Sequence, residues 1–212
     1  MTDVLANTEG AAPTGVDGRR LRDRGARTRA KLVEAAEAVF AELGYHDASI
    51  VKITEAAGVA QGTFYLYFAS KKDIFDEVVL DLNRRVRHHV NEAAKAGRTR
   101  REVEVLGFRA YFRFTAEHPA LYRVIRQAEF VSPATLQLHY ARFSEGYVAG
   151  LTAAMQAGEI AETDPVVLTW CLMGIAELFG MRSTLWQEGA EIPEEELRAL
   201  EGIVGRALGA VT

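Results

Sequence analysis

Gln61, Thr63, Tyr65 and Tyr67 offer hydrogen-bonding tips without net charge, and Gly62 sits among them bare of any side chain. A carboxamide can pair bidentately with an adenine edge, a glycine lets a backbone approach closely, and Leu66 could touch a thymine methyl. Groups such as Ser49, Tyr65 and Tyr67 can hold phosphate oxygens and so set register on a duplex. Catalytic sets are harder to assemble. The adjacent His88 and His89 would point to different faces of a helix, and His46, His118 and His139 show no ligand spacing. Cys171 stands alone in an apolar run, and neither a glycine-rich phosphate loop nor an HExxH pattern occurs. An enzyme is therefore the weaker reading, with no catalytic residue, metal ligand or cofactor motif to name.

A short helix, a glycine corner and a second short helix would position those tips. Ile53, Ala56 and Ala57 repeat at helical spacing, and Gly58 follows where a left-handed residue commonly ends a helix. Val59 would fill the inside of the corner. Phe64 and Phe68 are four apart and share a face, so burying them turns Gln61 to Tyr67 outward. Two helices joined in this way form a helix-turn-helix, whose second helix enters the DNA major groove.

The residues Gly44-Tyr45, Ser49-Ile50, Ile53, Ala56-Ala57-Gly58-Val59, Gly62-Thr63-Phe64-Tyr65, Tyr67-Phe68 and Ser70-Lys71-Lys72 resemble the signature of the TetR/AcrR family of transcriptional regulators. The likeness covers roughly residues 27 to 80, and the rest of the chain matches only in layout. Alanine stands at 60, where a serine commonly caps the recognition helix, and at 48, where threonine is frequent. A lost capping hydroxyl costs about 0.5–2 kcal/mol, so this recognition helix is expected to be firm only on DNA. The resemblance implies an all-α protein: a basic-ended disordered arm over 1–24, a three-helix DNA-binding domain over 25–72, and an effector-binding and dimerisation domain over 73–212. It further implies a homodimer, most simply a repressor released from a palindromic operator by a small molecule. Ser49, Gln61, Gly62, Thr63, Tyr65, Tyr67, Lys71 and Arg27 are the expected DNA contacts. Lys71 and Lys72 open a helix behind Ser70, where free amides and two ammonium groups suit a phosphate.

Charge supports the division. Residues 1–18 carry a net −3, residues 19–72 a net +4 and residues 73–212 a net −5, so basic charge gathers beside the motif. The single cysteine, Cys171, excludes a disulfide framework and suggests a reducing cytoplasmic setting. No apolar leader precedes the arginines of the arm, and the longest uncharged span, 165–176, is too short to cross a membrane.

Start signals divide the remainder into helices. The first is expected over about 28–43, the fourth from Ser70 to about 96, and others over 102–117, from Pro119, from Pro133 to about 157, from Pro165, and from Pro193. Phe130 is counted with the apolar face of its helix, and Gly146 with Gly150 would let another helix approach closely. Residues 165–186 are apolar nearly all round, which requires cover on every side, partly from a second copy. Polar groups embedded in apolar helices, Arg126 and Glu177, and the rings and thioether of Phe112, Tyr122, Phe143, Tyr147, Trp170 and Met173 are candidate pocket residues for an apolar or aromatic effector. Ordinary core packing is the alternative for each. A helical ligand-binding or interaction module without DNA binding is the alternative for the chain.

Overall fold

The structure, a computed structural model, describes residues 13–187 and 191–209. Nine α-helices run through them: α1 (Asp23–Asp47), α2 (Ile50–Ala57), α3 (Gln61–Phe64), α4 (Lys71–Ala94), α5 (Arg100–Glu117), α6 (Ala120–Val131), α7 (Pro133–Gln156), α8 (Pro165–Met181) and α9 (Glu194–Ala207). A single π-helical turn, Arg182–Trp186, continues α8. The chain forms two compact units, and the dividing line falls inside α4 between Val78 and Val79.

Caps explain where several helices begin. Ser49 accepts from the Lys52 amide at 3.2 Å, Ser70 from Asp73 at 3.1 Å, Thr99 from Glu102 at 3.2 Å, and Asp164 from Val166 at 2.8 Å. Each satisfies an amide that lacks a helical partner. Gly58 closes α2 in the left-handed region at φ 65°.

The first unit packs around Leu32, Ala36, Phe40, Ile53, Phe64, Ile74, Phe75 and Val78, all fully buried. Phe40 meets Phe75 edge-on at 5.2 Å between ring centres, and Tyr45 meets Phe75 at 5.1 Å. In the second unit Phe108, Phe112, Leu151, Leu168, Leu172, Leu200 and Val204 join α5, α7, α8 and α9 in one core. Arg109 clamps α5 to α9 by pairing with Glu194 at 2.8 Å and Glu201 at 2.7 Å.

Several expectations are corrected. Helix α1 starts at Asp23, so Arg24 is helical, not part of an arm, and the helix begins five residues before the expected start near 28. Arg29 pairs with Glu77 at 2.8 Å and lies over the Phe68 ring. The arm itself is structured from residue 13, while residues 1–12 lie outside the described residues. Gly44 kinks α1, with φ 76° and ψ 164°, instead of ending it. Phe130 points outward, 82% exposed. A Cβ at Gly146 would meet open space, and one at Gly150 would meet the Arg100 guanidinium at 2.6 Å, so neither glycine admits a helix. Helix α8 and its π-turn make 22 continuous helical residues, which by length and composition alone could cross a bilayer. Only a third of its apolar 18-residue stretch is buried within the chain, because one apolar side has no cover from its own chain.

Candidate nucleic-acid interface and ligand cavity

Phe64 is fully buried and Phe68 nearly so, and they anchor α3 in the first unit. Burying a phenylalanine is worth about 1.5–3 kcal/mol, a large share of what holds so short an element. The opposite face is left outward. Gln61 and Gly62 are exposed, Thr63 is half-buried, and Tyr65 and Leu66 are 49% and 63% exposed. A Cβ at Gly62 would meet nothing within 4 Å, so the fold itself places no demand for glycine there. Tyr67 is half-buried and its phenol leans toward Gly25 on α1. The α-helix proper is one turn long. Ala60 supplies no side-chain cap, and tighter i+3 bonds, Leu66 to Thr63 and Tyr67 to Phe64, follow it.

The flanking candidates divide. Arg27 is exposed on α1. Ser49 lies at the N-terminus of α2, where its hydroxyl already accepts from Lys52. Lys71 turns inward: its ammonium donates to the Tyr45 carbonyl at 2.6 Å and the Ala48 carbonyl at 2.7 Å, and stands 4.4 Å from the centre of the Tyr45 ring. The end of α1 at Asp47 leaves those carbonyls without helical partners, and the lysine satisfies them, which removes it from the phosphate-contact set.

The second unit holds a cavity of about 250 Å³ between α4, α5, α6, α7 and α8. Of the candidate pocket residues, Tyr122, Phe143, Tyr147, Met173 and Glu177 line it. Three candidates do not. Phe112 lies in the core behind the wall, packed on Phe108 and Phe179. Arg126 is exposed and reaches the Met181 sulfur at 2.9 Å. Trp170 faces a separate apolar groove with Leu178, Trp186 and Ile203. Helical phase decides these three, and a lone sequence gives the phase of a helix only where one face is plainly polar.

The cavity also holds groups that the sequence reading passed over. Glu104 is 4% exposed and bonds both Arg100 and the Tyr147 phenol. Burial raises its pKa, although Arg100 and Tyr147 pull the other way. Tyr140 donates to Glu177 at 2.7 Å, and burial with that carboxylate pushes the phenol well above its ordinary value. His139 is 6% exposed, and its Nδ1 and carbonyl oxygen both face the Asn83 amide nitrogen, at 3.2 and 3.0 Å. Arg87 donates to the Asn83 carbonyl oxygen at 3.1 Å, which orients the amide and leaves Nδ1 as an acceptor on a neutral ring. Burial, then the charge of Arg87, lowers the histidine to about 4. Arg87 and Arg142 both line the cavity, and burial together with their mutual repulsion lowers the Arg87 pKa. The i, i+4 pair Arg100 and Glu104 was the signal available in the sequence. An apolar chamber with a few convergent polar groups suits a small molecule.

An all-helical chain with an outward-facing, glycine-cornered second helix in its first unit and an apolar chamber in its second has the elements of a ligand-responsive DNA-binding regulator. Residues 32–78 match the model of bacterial regulatory proteins of the tetR family. The chain is 32% identical over 137 residues to the fatty acid metabolism regulator protein of Bacillus subtilis, covering 62% of this chain and 70% of that one. It is 42% identical over 67 residues to the HTH-type transcriptional regulator YdgC of the same organism, a match spanning 32% of this chain and 34% of that protein. Its fold superposes on the crystal structure of the transcriptional regulator FadR from Bacillus subtilis in complex with stearoyl-CoA, with a TM-score of 0.71 and 25% identity, covering 86% of this chain and 99% of the other. The chain belongs to the TetR family of transcriptional regulators and is a helix-turn-helix DNA-binding protein.

Proposed function

We propose that this chain is a cytoplasmic homodimeric repressor that reads a palindromic operator through Gln61, Gly62, Thr63 and Tyr65 and is released by a small apolar effector. Arg27, Ser49 and Tyr67 fix register on phosphates. The observation that carries the DNA reading is the outer face of α3, polar, exposed and bare at Gly62, held in place by two buried phenylalanines. Regulation rests on the apolar chamber in the second unit. A ligand shifts DNA binding only through unequal affinity for forms that space the two recognition helices differently.

The walls of the chamber favour an aliphatic or aromatic body, and Arg87 and Arg142 suit an anionic end. Likeness to a regulator of fatty acid metabolism and to one holding stearoyl-CoA makes acyl compounds the first class to test. The test has two stages. A duplex enriched from a random-sequence library by the full chain should show a palindromic footprint. Adding stearoyl-CoA, stearate or an aromatic carboxylic acid to that complex should then release the protein in at least one case. Failure to enrich any sequence would leave the alternative of a helical ligand-binding module without DNA recognition.

A further inference from the structure

Residues 13–21 close into a turn that packs on the recognition segment. Thr14 pairs with Arg20 in an antiparallel bridge, and the Leu21 amide donates to the Pro13 carbonyl at 2.9 Å. The Gly18 amide donates to the Gly15 carbonyl at 3.0 Å, which makes Gly15 to Gly18 a β-turn with Val16 at its second position. The Val16 amide then reaches across and donates to the Leu66 carbonyl at 3.1 Å. A Cβ at Gly15 would stand 3.1 Å from that same carbonyl oxygen and 3.0 Å from the Asp17 carboxylate, so a bare residue suits the approach. A groove runs between the turn and Tyr65, Leu66 and Tyr67.

What the turn carries points to an anionic partner. Arg19, Arg20 and Arg22 are all exposed, with the Arg19 side chain 89% accessible. The Arg20 and Arg22 side chains make no ion pair among the described residues. Asp17, the acid of this segment, lies 3.7 Å from the Arg19 Nε and accepts from the Arg19 amide, which leaves a net charge of +2 over 13–22. Apart from that loose Arg19–Asp17 pair, holding these guanidinium groups together in the open serves no ion pair among the described residues. They are instead set beside the face that the regulator reading aims at a duplex.

We propose that this turn is a second DNA-contacting element, docked on the recognition segment through the Val16–Leu66 bond, which lays Arg19, Arg20 and Arg22 on the sugar-phosphate backbone flanking the groove entered by Gln61 to Tyr65. The inference rests on the reading of α3 as the DNA-reading helix. Because the docking bond ends on α3's own segment, the arginines and the base-reading tips keep one register.

Three full-length variants test it on a duplex enriched by the wild-type chain. Arg19→Ala/Arg20→Ala removes charge. Val16→Pro keeps every charge and deletes the docking N–H, at the turn position most tolerant of proline. Arg98→Ala/Arg123→Ala removes two exposed arginines from the second unit as a control. The double arm variant should lower the slope of log affinity against log salt by about 2 per protomer and weaken binding roughly tenfold. Val16→Pro should weaken binding in the same direction and shorten the hydroxyl-radical footprint at its edges. The control should match wild type, and thermal melting should show all three folded. Wild-type slope and footprint in both arm variants would overturn the proposal alone, as would a control that falls as far as they do. A wild-type chain that binds no duplex would overturn the regulator reading and this inference with it.

Discussion

Gly62 separates folding from function more sharply than any other position. Its Cβ would enter open space, and glycine inside a helical turn costs up to about 1 kcal/mol relative to alanine. Gly62→Ala should therefore raise the melting temperature slightly or leave it unchanged, yet weaken operator binding at least tenfold by placing a methyl against the bases. Unchanged affinity in an anisotropy titration would remove α3 from the groove. His139 makes the opposite case, a residue that matters to the fold. Its value of about 4 lies below the ordinary 6.5, so the unfolded chain takes up the proton first as pH falls. The contribution is complete above about pH 6.5 and is lost as pH drops toward 4, up to about 3 kcal/mol. Denaturation at pH 7.5 and 4.5 should show a smaller acid loss in His139→Gln than in wild type. Equal losses would mean that the ring is not held neutral.

Among the elements, α3 is the least secured. It is one turn long, has no side-chain cap at Ala60 and depends on Phe64 and Phe68 for its place. Ala60 already has the extended backbone of a cap residue, φ −68° and ψ 143°. Ala60→Ser should thus supply the missing acceptor, add about 0.5–2 kcal/mol to the helix and tighten operator binding several-fold by ordering it beforehand. Hydrogen exchange at Thr63 and Phe64 would report the ordering directly, and unaltered exchange would show that the cap does not form. Helix α1 shows why local spacing misplaces an end. Gly44 has the positive φ that usually stops a helix, yet the chain resumes helical turns to Asp47, and Lys71 satisfies carbonyls left free where the helix then ends. That lysine is a distant neighbour in sequence, and nothing at residue 71 announces the acceptor it will meet.

For the molecule as a whole, one apolar face remains open. Val166, Val167, Trp170, Leu178 and Trp186 on α8 and its π-turn, with Ile203 on α9, are each 48% exposed or more. A contiguous apolar face of this kind marks an association site, and a two-fold contact would cover it with its own copy. Light scattering behind size exclusion should give a dimer for wild type and a monomer for Leu178→Glu/Ile203→Glu, which puts four carboxylates into the interface. A wild-type monomer at micromolar concentration would refute the dimer. Two recognition helices on one duplex would sit about 34–36 Å apart in the simplest geometry. If the dimer covers about eight phosphates, affinity should fall roughly 10⁴-fold between 50 and 200 mM salt. A flat salt response would be inconsistent with that mode of binding.

The sequence by itself determined the helix-turn-helix, because Gly58, Phe64 and Phe68 act within a few residues of one another and their spacing states which face is inward. It determined several helix starts for the same reason, since Ser49, Ser70 and Asp164 cap amides two or three residues away. Only the tertiary structure decided which side chains enclose the chamber and which lie behind it or outside it, as Phe112, Arg126 and Trp170 do. It alone brought Asn83 to His139 and Val16 to Leu66. Those choices depend on how helices of similar apolar composition rotate against one another, and that rotation is settled by contacts between residues far apart in the chain.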